Sequence, residues 1–208
     1  QLPNAISVDS LKGGETKTVP AVLENRGHLL KLFCLARYYP HKNLEKIVQM
    51  FAKFPHELED VVVILTVAAT DHPNAKRLLR SIDELQLGRH FSIVGPLKQD
   101  ELSGYYRHCH ALFLPTLLES FSGTYLEAMQ FDCPILTSDL DFARYICGDA
   151  AIYFDPWDIE SMKNAILKLK KQPDLKTQMV AKGKERLGMM FQTWDEIAQN
   201  VCKDLQTI

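Results

Sequence analysis

The chain has 208 residues and a formal net charge of −2, with 46% hydrophobic and 24% charged residues. These values are ordinary for a globular protein, and the length suits one domain with a sizeable core. The near-neutral charge argues against a dedicated nucleic-acid-binding protein, which usually carries a basic excess. The sequence contains no apolar run close to the roughly 20 residues that a membrane helix needs. The composition therefore favours a globular domain that binds no nucleic acid.

The cysteines indicate the redox environment. They are odd in number, widely spaced and mostly within apolar runs: Cys34, Cys109, Cys133, Cys147 and Cys202. The absence of a CxxC pair argues against a zinc ribbon or a thioredoxin-type site. We therefore expect buried free thiols in a reducing compartment and a cytoplasmic protein, with the inner face of the membrane left open for the full-length protein. The sequence shows no secretory signal pattern. Since it begins with Gln1 rather than methionine, we expect a piece of a longer protein.

The predicted elements begin after residues 1–28, which are weakly patterned and read as a hinge or arm leading into the domain. Short apolar segments then alternate with amphipathic ones. The predicted strands are residues 29–36, 61–67, 90–94, 111–114, 134–137 and 151–154. Helices are predicted after Asn43, from Pro73, at 98–108, at 123–131, near 142–147, after Asp158, from Pro173 and, behind a capping box at Thr193 and Glu196, to about Leu205. This alternation predicts a doubly wound parallel α/β sheet of six strands.

Ligands of open α/β sheets bind beyond the carboxyl ends of the strands, so the residues that follow each predicted strand are candidates. Arg37 and Lys42 follow the first strand, and two neighbouring cations suit a diphosphate. Gly95 follows the third strand, where a glycine lets the backbone approach a flat ligand. Taken singly, each of these features is also compatible with an ordinary loop.

The densest group of candidates follows the fourth strand. Ser120, Ser122 and Gly123 are small residues at a predicted helix start, where free backbone N–H groups favour anions. Glu119 precedes this helix and Glu127 lies about one turn inside it. Since carboxylates accept hydrogen bonds from pairs of hydroxyls, sugar or ribose hydroxyls are natural partners.

Several other site types are disfavoured. His108-Cys109-His110 has the wrong spacing for a tetrahedral metal site. No GxGxxG follows the first strand, which argues against a dinucleotide-binding dehydrogenase. No GxxxxGK[ST] or GxSxG motif occurs, which argues against a P-loop NTPase and a lipase-like hydrolase.

Residues 115–129, with Glu119 and Glu127 separated by seven residues, resemble the donor-binding segment of retaining glycosyltransferases of the two-domain GT-B type, in particular the glycosyltransferase group 1 family. The other segments that resemble the family are a phosphate loop at 35–43, a base-side loop at 94–97, closing strands at 133–138 and 148–156, and a hinge at 2–5. The resemblance implies a Rossmann-like domain over residues 29–190, the C-terminal half of a GT-B architecture. It also implies a closing helix at 191–208 that packs toward a missing N-terminal domain.

The resemblance implies a role for each candidate residue. The predicted catalytic residues are Arg37 and Lys42, which would neutralise the diphosphate, and Glu119, which would face the donor sugar. Glu127 would accept hydrogen bonds from the ribose. The remaining substrate-binding candidates lie at the helix start or beside the nucleobase: Ser122, Gly123, Thr124, Val94, Gly95 and Leu97. No metal or other cofactor is implied, because arginine and lysine would do the work of a divalent ion.

The implied function is transfer of a sugar, with retention, from a nucleotide diphosphate sugar to an acceptor in polysaccharide or glycoconjugate synthesis. A sugar or glycolipid acceptor would bind through the missing N-terminal domain, so the isolated chain is expected to bind donor without turnover. We also expect an exposed apolar patch where that domain would pack, on Met189, Met190, Phe191 and Trp194.

The chain departs from the family pattern at Ser120, Ser122 and Ala36, where the family commonly has glycine, and it lacks a glutamate often found just before Cys147. The alternatives are a non-catalytic or degenerate GT-B-like module, an epimerase, or a sugar phosphorylase with a pyridoxal lysine, for which Lys42 and Lys98 are available. A flavodoxin-like domain is disfavoured by the six strands and the paired glutamates. Convergence of the candidates on one cleft would favour the glycosyltransferase.

Overall fold

Strands and helices alternate along the chain in a computed structural model that describes residues 19–24, 26–190 and 194–206. The strands are β1 Leu30–Cys34, β2 Val61–Leu65, β3 Phe91–Ile93, β4 Ala111–Leu114, β5 Ile135–Ser138 and β6 Ala151–Phe154. The helices are α1 Ala21–Glu24, α2 Leu44–Lys53, α3 Pro73–Glu84, α4 Gln99–His108, α5 Gly123–Gln130, α6 Asp141–Cys147, α7 Ile159–Lys171, α8 Pro173–Met190 and α9 Trp194–Gln206. Short 3₁₀ turns cover Pro40–Lys42, Gly88–His90 and Gly148–Ala150.

The six strands form one parallel sheet in the order β3-β2-β1-β4-β5-β6, which confirms the predicted doubly wound fold. The chain winds outward from β1 to β3 and then returns to place β4 beside β1. The order therefore reverses between β1 and β4. In sheets of this kind a crevice lies outside the carboxyl ends of the strands at the reversal.

The central strands are apolar because helices cover both faces of the sheet. All five residues of β2 are buried, as are all four of β4. Continuous runs of Val, Ile and Leu are typical of parallel strands in this position, since neither face meets water. The core is thus built around the two strands that flank β1.

The first two strands are shorter than predicted. Strand β1 stops at Cys34 and β2 at Leu65, although the apolar runs continue to Ala36 and Val67. The Thr66 side chain explains the early end, because its hydroxyl accepts a hydrogen bond from the Ala36 N–H at 2.9 Å where the ladder would otherwise continue. His90, predicted as strand, lies in a 3₁₀ turn instead.

The segment that leads into the sheet is partly helical. Within the predicted hinge or arm, Ala21–Glu24 forms α1, a helix that the sequence pattern did not predict. Leu23 is buried in the core of the domain, and burial of that side chain favours one fixed helical turn over an open arm. Residues 1–18, including the predicted hinge at 2–5, lie outside the described residues.

The last two helices follow Pro173, as predicted. Met189 is 71% exposed, as expected for the apolar patch, whereas the side chains of Met190, Phe191 and Trp194 lie outside the described part of the chain. Ile197 of α9 is buried. Packing of residues 191–208 toward another domain stays a prediction. No helix in the described residues is long and apolar enough to cross a membrane.

Candidate functional site

The candidate site lies at the reversal of strand order, where the loops after β1 and β4 meet. The N–H of Leu117 donates to the His41 carbonyl at 2.7 Å, and the Thr116 hydroxyl donates to the same oxygen at 3.3 Å. Both bonds form because β1 and β4 are neighbours in the sheet. The two loops that carry most of the predicted site residues are therefore fixed to each other.

Asn43 ties a third loop to this pair. The residue stands at the predicted N-cap of α2, but its backbone is left-handed with φ 57° and its side chain caps nothing. The side-chain amide instead donates to the carbonyls of Pro115 at 3.2 Å and Pro156 at 2.8 Å. Asparagine tolerates this backbone conformation better than most residues. The loops after β1, β4 and β6 are thereby held together by one side chain.

Lys42 and Glu119 form a close ion pair across the reversal. The Lys42 Nζ lies 2.5 Å from Glu119 Oε1, and their side chains are only 19% and 13% exposed. Partial burial strengthens such a pair relative to one on the open surface. The structure therefore joins two of the three predicted catalytic residues directly.

Arg37 lies in the same loop as Lys42 but has a different partner. Its Nε is 3.5 Å from Asp71 Oδ1, and the Arg37 side chain is 71% exposed whereas that of Asp71 is 3% exposed. The other oxygen of Asp71 accepts the backbone N–H groups of Tyr38 at 3.2 Å and Ala68 at 3.0 Å. A buried carboxylate thus anchors the loop and leaves the guanidinium open to solvent.

Helix α5 begins at Gly123, four residues after Glu119 in the same loop. Its N-cap is Ser122, whose side chain makes no capping hydrogen bond. The first amides of a helix have no partner within the helix, so those of Gly123 and Thr124 are suited to an anion. The three predicted phosphate-binding positions are therefore continuous with the Lys42–Glu119 pair.

A buried chain of hydroxyls fixes the start of α5 against the sheet. The Thr137 hydroxyl of β5 donates to the Leu114 carbonyl at the end of β4, at 3.1 Å. The Tyr125 hydroxyl, from the first turn of α5, lies 2.7 Å from the same Thr137 oxygen and donates to it. Burial raises the pKa of Tyr125, which keeps its proton in place. This relay holds the helix start at a defined distance from the strand end.

Glu127 projects from the second turn of α5 and is half-buried. One of its carboxylate oxygens accepts a hydrogen bond from the Tyr106 hydroxyl of α4, at 2.8 Å. Burial, followed by the nearby Glu127 charge, raises the pKa of Tyr106 well above its ordinary value. Tyr106 therefore acts as a donor to Glu127 at neutral pH.

The predicted base-side residues lie after β3, at the outer side of the sheet. Val94 extends the ladder, since its N–H donates to the Leu65 carbonyl at 3.0 Å. Gly95 has φ +71°, a left-handed conformation that favours glycine, and open space where a side chain would be. Val94 and Leu97 are half-buried against the core. In the described residues no hydrogen bond or ion pair joins this loop to Lys42 or Glu119.

Two residues of this region were absent from the predicted set. Asp71 lies in the loop after β2, and its position after a strand is the signal that could have identified it. Tyr106 gives no such signal, because its contact with Glu127 joins two helices that only the folded chain brings together. Both support a predicted residue rather than standing alone.

The histidines and cysteines form no comparable cluster. In the described part of the chain no three or more His, Cys, Asp or Glu side chains are grouped as metal ligands. The His110 ring accepts the Lys31 N–H at 3.0 Å. Four cysteines are buried and unpaired, as predicted, and Cys202 is exposed. Burial raises the pKa of Cys34 to about 12, so this thiol is unreactive at neutral pH.

Known proteins resemble this chain in sequence and in fold. The serotype-specific mannosyltransferase WbdA of Escherichia coli is 26% identical over 138 residues, which cover 66% of this chain and 17% of that protein. HepE of Anabaena, in a crystal structure with UDP, is similar in fold over 100% of this chain and 57% of its own, with TM-score 0.78 and 16% identity. This chain thus spans much less than the full length of either protein.

A third relative is similar over nearly its whole length. The C-terminal domain of LpcC, a glycosyl transferase group 1 family protein of Francisella tularensis, has TM-score 0.69 and 13% identity, covering 88% of this chain and 97% of that domain. At such identities the two structural matches show the fold alone. The family model for glycosyl transferases group 1 matches residues 16–186, which is most of the chain. The chain therefore belongs to the glycosyl transferases group 1 family.

Proposed function

We propose that this chain is the donor-binding domain of a retaining glycosyltransferase that uses a nucleotide diphosphate sugar. The observation that carries the proposal is the Lys42–Glu119 contact across the reversal of strand order, in the same loop that leads to the N-terminus of α5. A cation, a carboxylate and helix amides in one crevice suit a ligand with both phosphates and hydroxyls. This convergence favours a working donor site over a degenerate module.

The chemistry follows from where charge develops. As the glycosidic bond breaks, the leaving diphosphate gains negative charge. Lys42, Arg37 and the amides of Gly123 and Thr124 would stabilise that charge more in the transition state than in the ground state. In this proposal the two cations take the part of a divalent metal ion, so no metal is required.

The other candidates would bind the rest of the donor. Glu119 would face the sugar, and Glu127 would accept hydrogen bonds from the ribose. Val94 and Leu97 would flank the nucleobase, with the Gly95 backbone between them.

The similar proteins support both the proposed chemistry and the proposed position of this chain in a longer enzyme. WbdA is named as a mannosyltransferase, and HepE was crystallised with UDP, so hexosyl transfer and a nucleoside diphosphate ligand are proposed here by similarity. LpcC matches this chain as a C-terminal domain. We infer that a separate N-terminal domain binds the sugar or glycolipid acceptor, in polysaccharide or glycoconjugate synthesis, and that this chain alone binds donor without turnover.

The test is calorimetric titration of the chain with UDP, GDP and ADP. We expect saturable binding of one nucleotide, weakened about tenfold or more in Arg37→Ala and Glu127→Ala, because each change removes a charged contact. Arg80→Ala and Glu84→Ala are matched controls, since both side chains are exposed on α3. Binding of no nucleotide, or equal binding by all variants, would contradict the proposal. Glycosyl transfer at enzyme-like rates would contradict the donor-only role of the isolated chain.

A further inference from the structure

Tyr106 is a buried phenol whose position is set by aromatic packing rather than by its hydroxyl. Its side chain is 1% exposed. The ring packs edge-on against Phe33 of β1, with centroids 5.1 Å apart, and stacks on Phe131 at 5.6 Å. Buried aromatic contacts of this kind leave the ring little freedom to move. The hydroxyl is therefore a fixed point between α4 and α5.

That fixed hydroxyl holds one half of the Glu127 carboxylate. It lies 2.8 Å from Glu127 Oε2, and it also lies 3.4 Å from the Thr124 carbonyl in the first turn of α5. A phenol that retains its proton donates a single hydrogen, and the carboxylate is the stronger acceptor. With Oε2 occupied, Oε1 has a defined direction and capacity for further hydrogen bonds.

A half-buried carboxylate with one protein donor is incompletely satisfied. An ionised carboxylate accepts about four hydrogen bonds, and burial without them costs free energy. The Tyr106 hydroxyl donates to one of the Glu127 oxygens and leaves the carboxylate with further acceptor capacity. A ligand that brings hydroxyl donors would complete the set, and a fixed carboxylate would bind such a ligand more tightly than a mobile one.

We propose that Tyr106 is a positioning residue that makes this site selective for ribonucleotides over deoxyribonucleotides. This inference rests on the proposed function, because it takes Glu127 as the group that meets the ribose. The phenol orients the Glu127 carboxylate so that its second oxygen meets the vicinal hydroxyls of the sugar. The aromatic ring supplies the packing, and the hydroxyl alone supplies the selectivity.

The test compares the wild-type chain with Tyr106→Phe, which keeps the ring and removes only the hydroxyl. The probes are UDP, GDP and ADP, each beside its 2′-deoxy and 3′-deoxy form, in calorimetric titrations. We expect the wild type to prefer the ribonucleotide about tenfold or more. The variant should bind the ribonucleotide about fivefold to twentyfold more weakly than the wild type does. Its affinity for each deoxy form should stay within about twofold of the wild-type affinity.

Tyr105→Phe is the matched control. Tyr105 precedes Tyr106 in α4 and stacks on Phe33 with centroids 5.3 Å apart, but its hydroxyl is not bonded to Glu127. We expect this variant to keep the wild-type preference. Thermal melting of both variants checks that each has the native fold.

The outcomes separate this inference from the proposed function. If Tyr106→Phe binds ribonucleotides and deoxyribonucleotides more weakly by the same factor, Tyr106 acts by packing and the inference is wrong. If the variant keeps the wild-type preference, the inference is also wrong while the donor site stands. If the wild-type chain binds no nucleotide at all, the proposed function fails, and this inference fails with it.

Discussion

Lys42 and Glu119 neutralise each other in the free chain, and this pairing determines how each would respond to substitution. In Lys42→Ala the diphosphate loses a cation and also meets an uncompensated Glu119 charge. We expect Lys42→Ala to weaken nucleoside diphosphate binding about tenfold or more, and the double variant Lys42→Ala/Glu119→Gln to recover part of that loss. Titration of the four forms of a double-mutant cycle with UDP and GDP measures the effect.

The matched control for this cycle is Lys184, which pairs with Asp132 at 2.9 Å on the open surface. Lys184→Ala and Lys184→Ala/Asp132→Asn should bind nucleotide as the wild type does, because exposed pairs contribute little and this one lies outside the site. If the double variant at Lys42 and Glu119 binds no better than Lys42→Ala, then the uncompensated Glu119 charge does not weaken diphosphate binding.

At the residue scale, the site was predictable where chemistry follows directly from position in the fold. Lys42, Glu119 and Arg37 were found because they follow strands, and parallel strands deliver such residues to one edge. The partner that each residue has in the free chain was not predicted. Lys42 and Glu119 were assigned to different parts of one ligand, and in the structure they also pair with each other. Thr66 and Asn43 act through side chains that reach other loops, and single-sequence patterns carry no such distances.

Helix α8 supports the site from behind, because it packs on α5. A Cβ at Gly183 of α8 would lie 3.1 Å from Met129 Cγ in α5, whereas a Cβ at Gly188 of the same helix would meet nothing within 4 Å. Gly188→Ala should raise the free energy of unfolding by roughly 0.5–1 kcal/mol through helix propensity. Gly183→Ala should be less stable than Gly188→Ala by about 1 kcal/mol, since Met129 must move.

Urea denaturation followed by circular dichroism measures both glycine variants in the same helix. The comparison removes the propensity effect, which the two substitutions share. Equal stabilisation by the two changes would mean that Met129 moves aside freely, and that the contact between α5 and α8 does not fix the helix at the site.

At the element scale, strand ends were predicted best where proline follows. Strands β4 and β6 have the predicted bounds, because Pro115 and Asp155-Pro156 end the ladder at once. The first two strands were predicted too long, since apolar residues continue into loops that are themselves buried. Leu85 is an apolar residue that follows α3 directly, and it is 50% exposed because the helix ends before it.

The whole molecule should lose stability in mild acid, because the fold disfavours the protonated form of two histidines, His90 and His110. The His110 ring accepts the Lys31 N–H, and burial, aided by nearby lysines, lowers the pKa of His110 to about 4. Burial also lowers the pKa of His90. An unfolded histidine binds its proton near pH 6.5, whereas the folded His110 resists protonation until about pH 4. The free energy of unfolding should therefore fall as the pH falls through this window.

His110→Gln isolates one part of this effect. In this variant the free energy of unfolding should fall less between neutral and acidic pH, by on the order of 2 kcal/mol. The figure is kept small because part of the His110 ring is open to solvent. Urea denaturation between about pH 7 and about pH 4.5 provides the measurement. His56→Gln is the control, since His56 is exposed and should leave the pH dependence unchanged. If the free energy of unfolding of His110→Gln falls with pH as steeply as that of the wild type, His110 does not cause the loss of stability.

At the scale of the whole molecule, the fold class was predictable and the strand order was not. Alternating short strands and helices favour a parallel sheet covered by helices, and six strands are too few for an eight-stranded barrel, so a doubly wound sheet was predictable. The reversal between β1 and β4 depends on pairing between residues far apart in sequence, such as Leu32 with Ala111. That reversal creates the crevice, so the location of the site was predictable only as an edge of the sheet.

The pairing of both cations in the free crevice has a kinetic consequence. Arg37 is matched by Asp71 and Lys42 by Glu119, so the crevice projects little net positive field into solution. Diffusing anions are then not steered from a distance, and their rate of arrival depends only weakly on ionic strength. Under the proposed function, attraction would begin after arrival, when the phosphates replace Glu119 as the partner of Lys42. Selection among anions would then take place at contact, by shape and exchange of partners, rather than during approach.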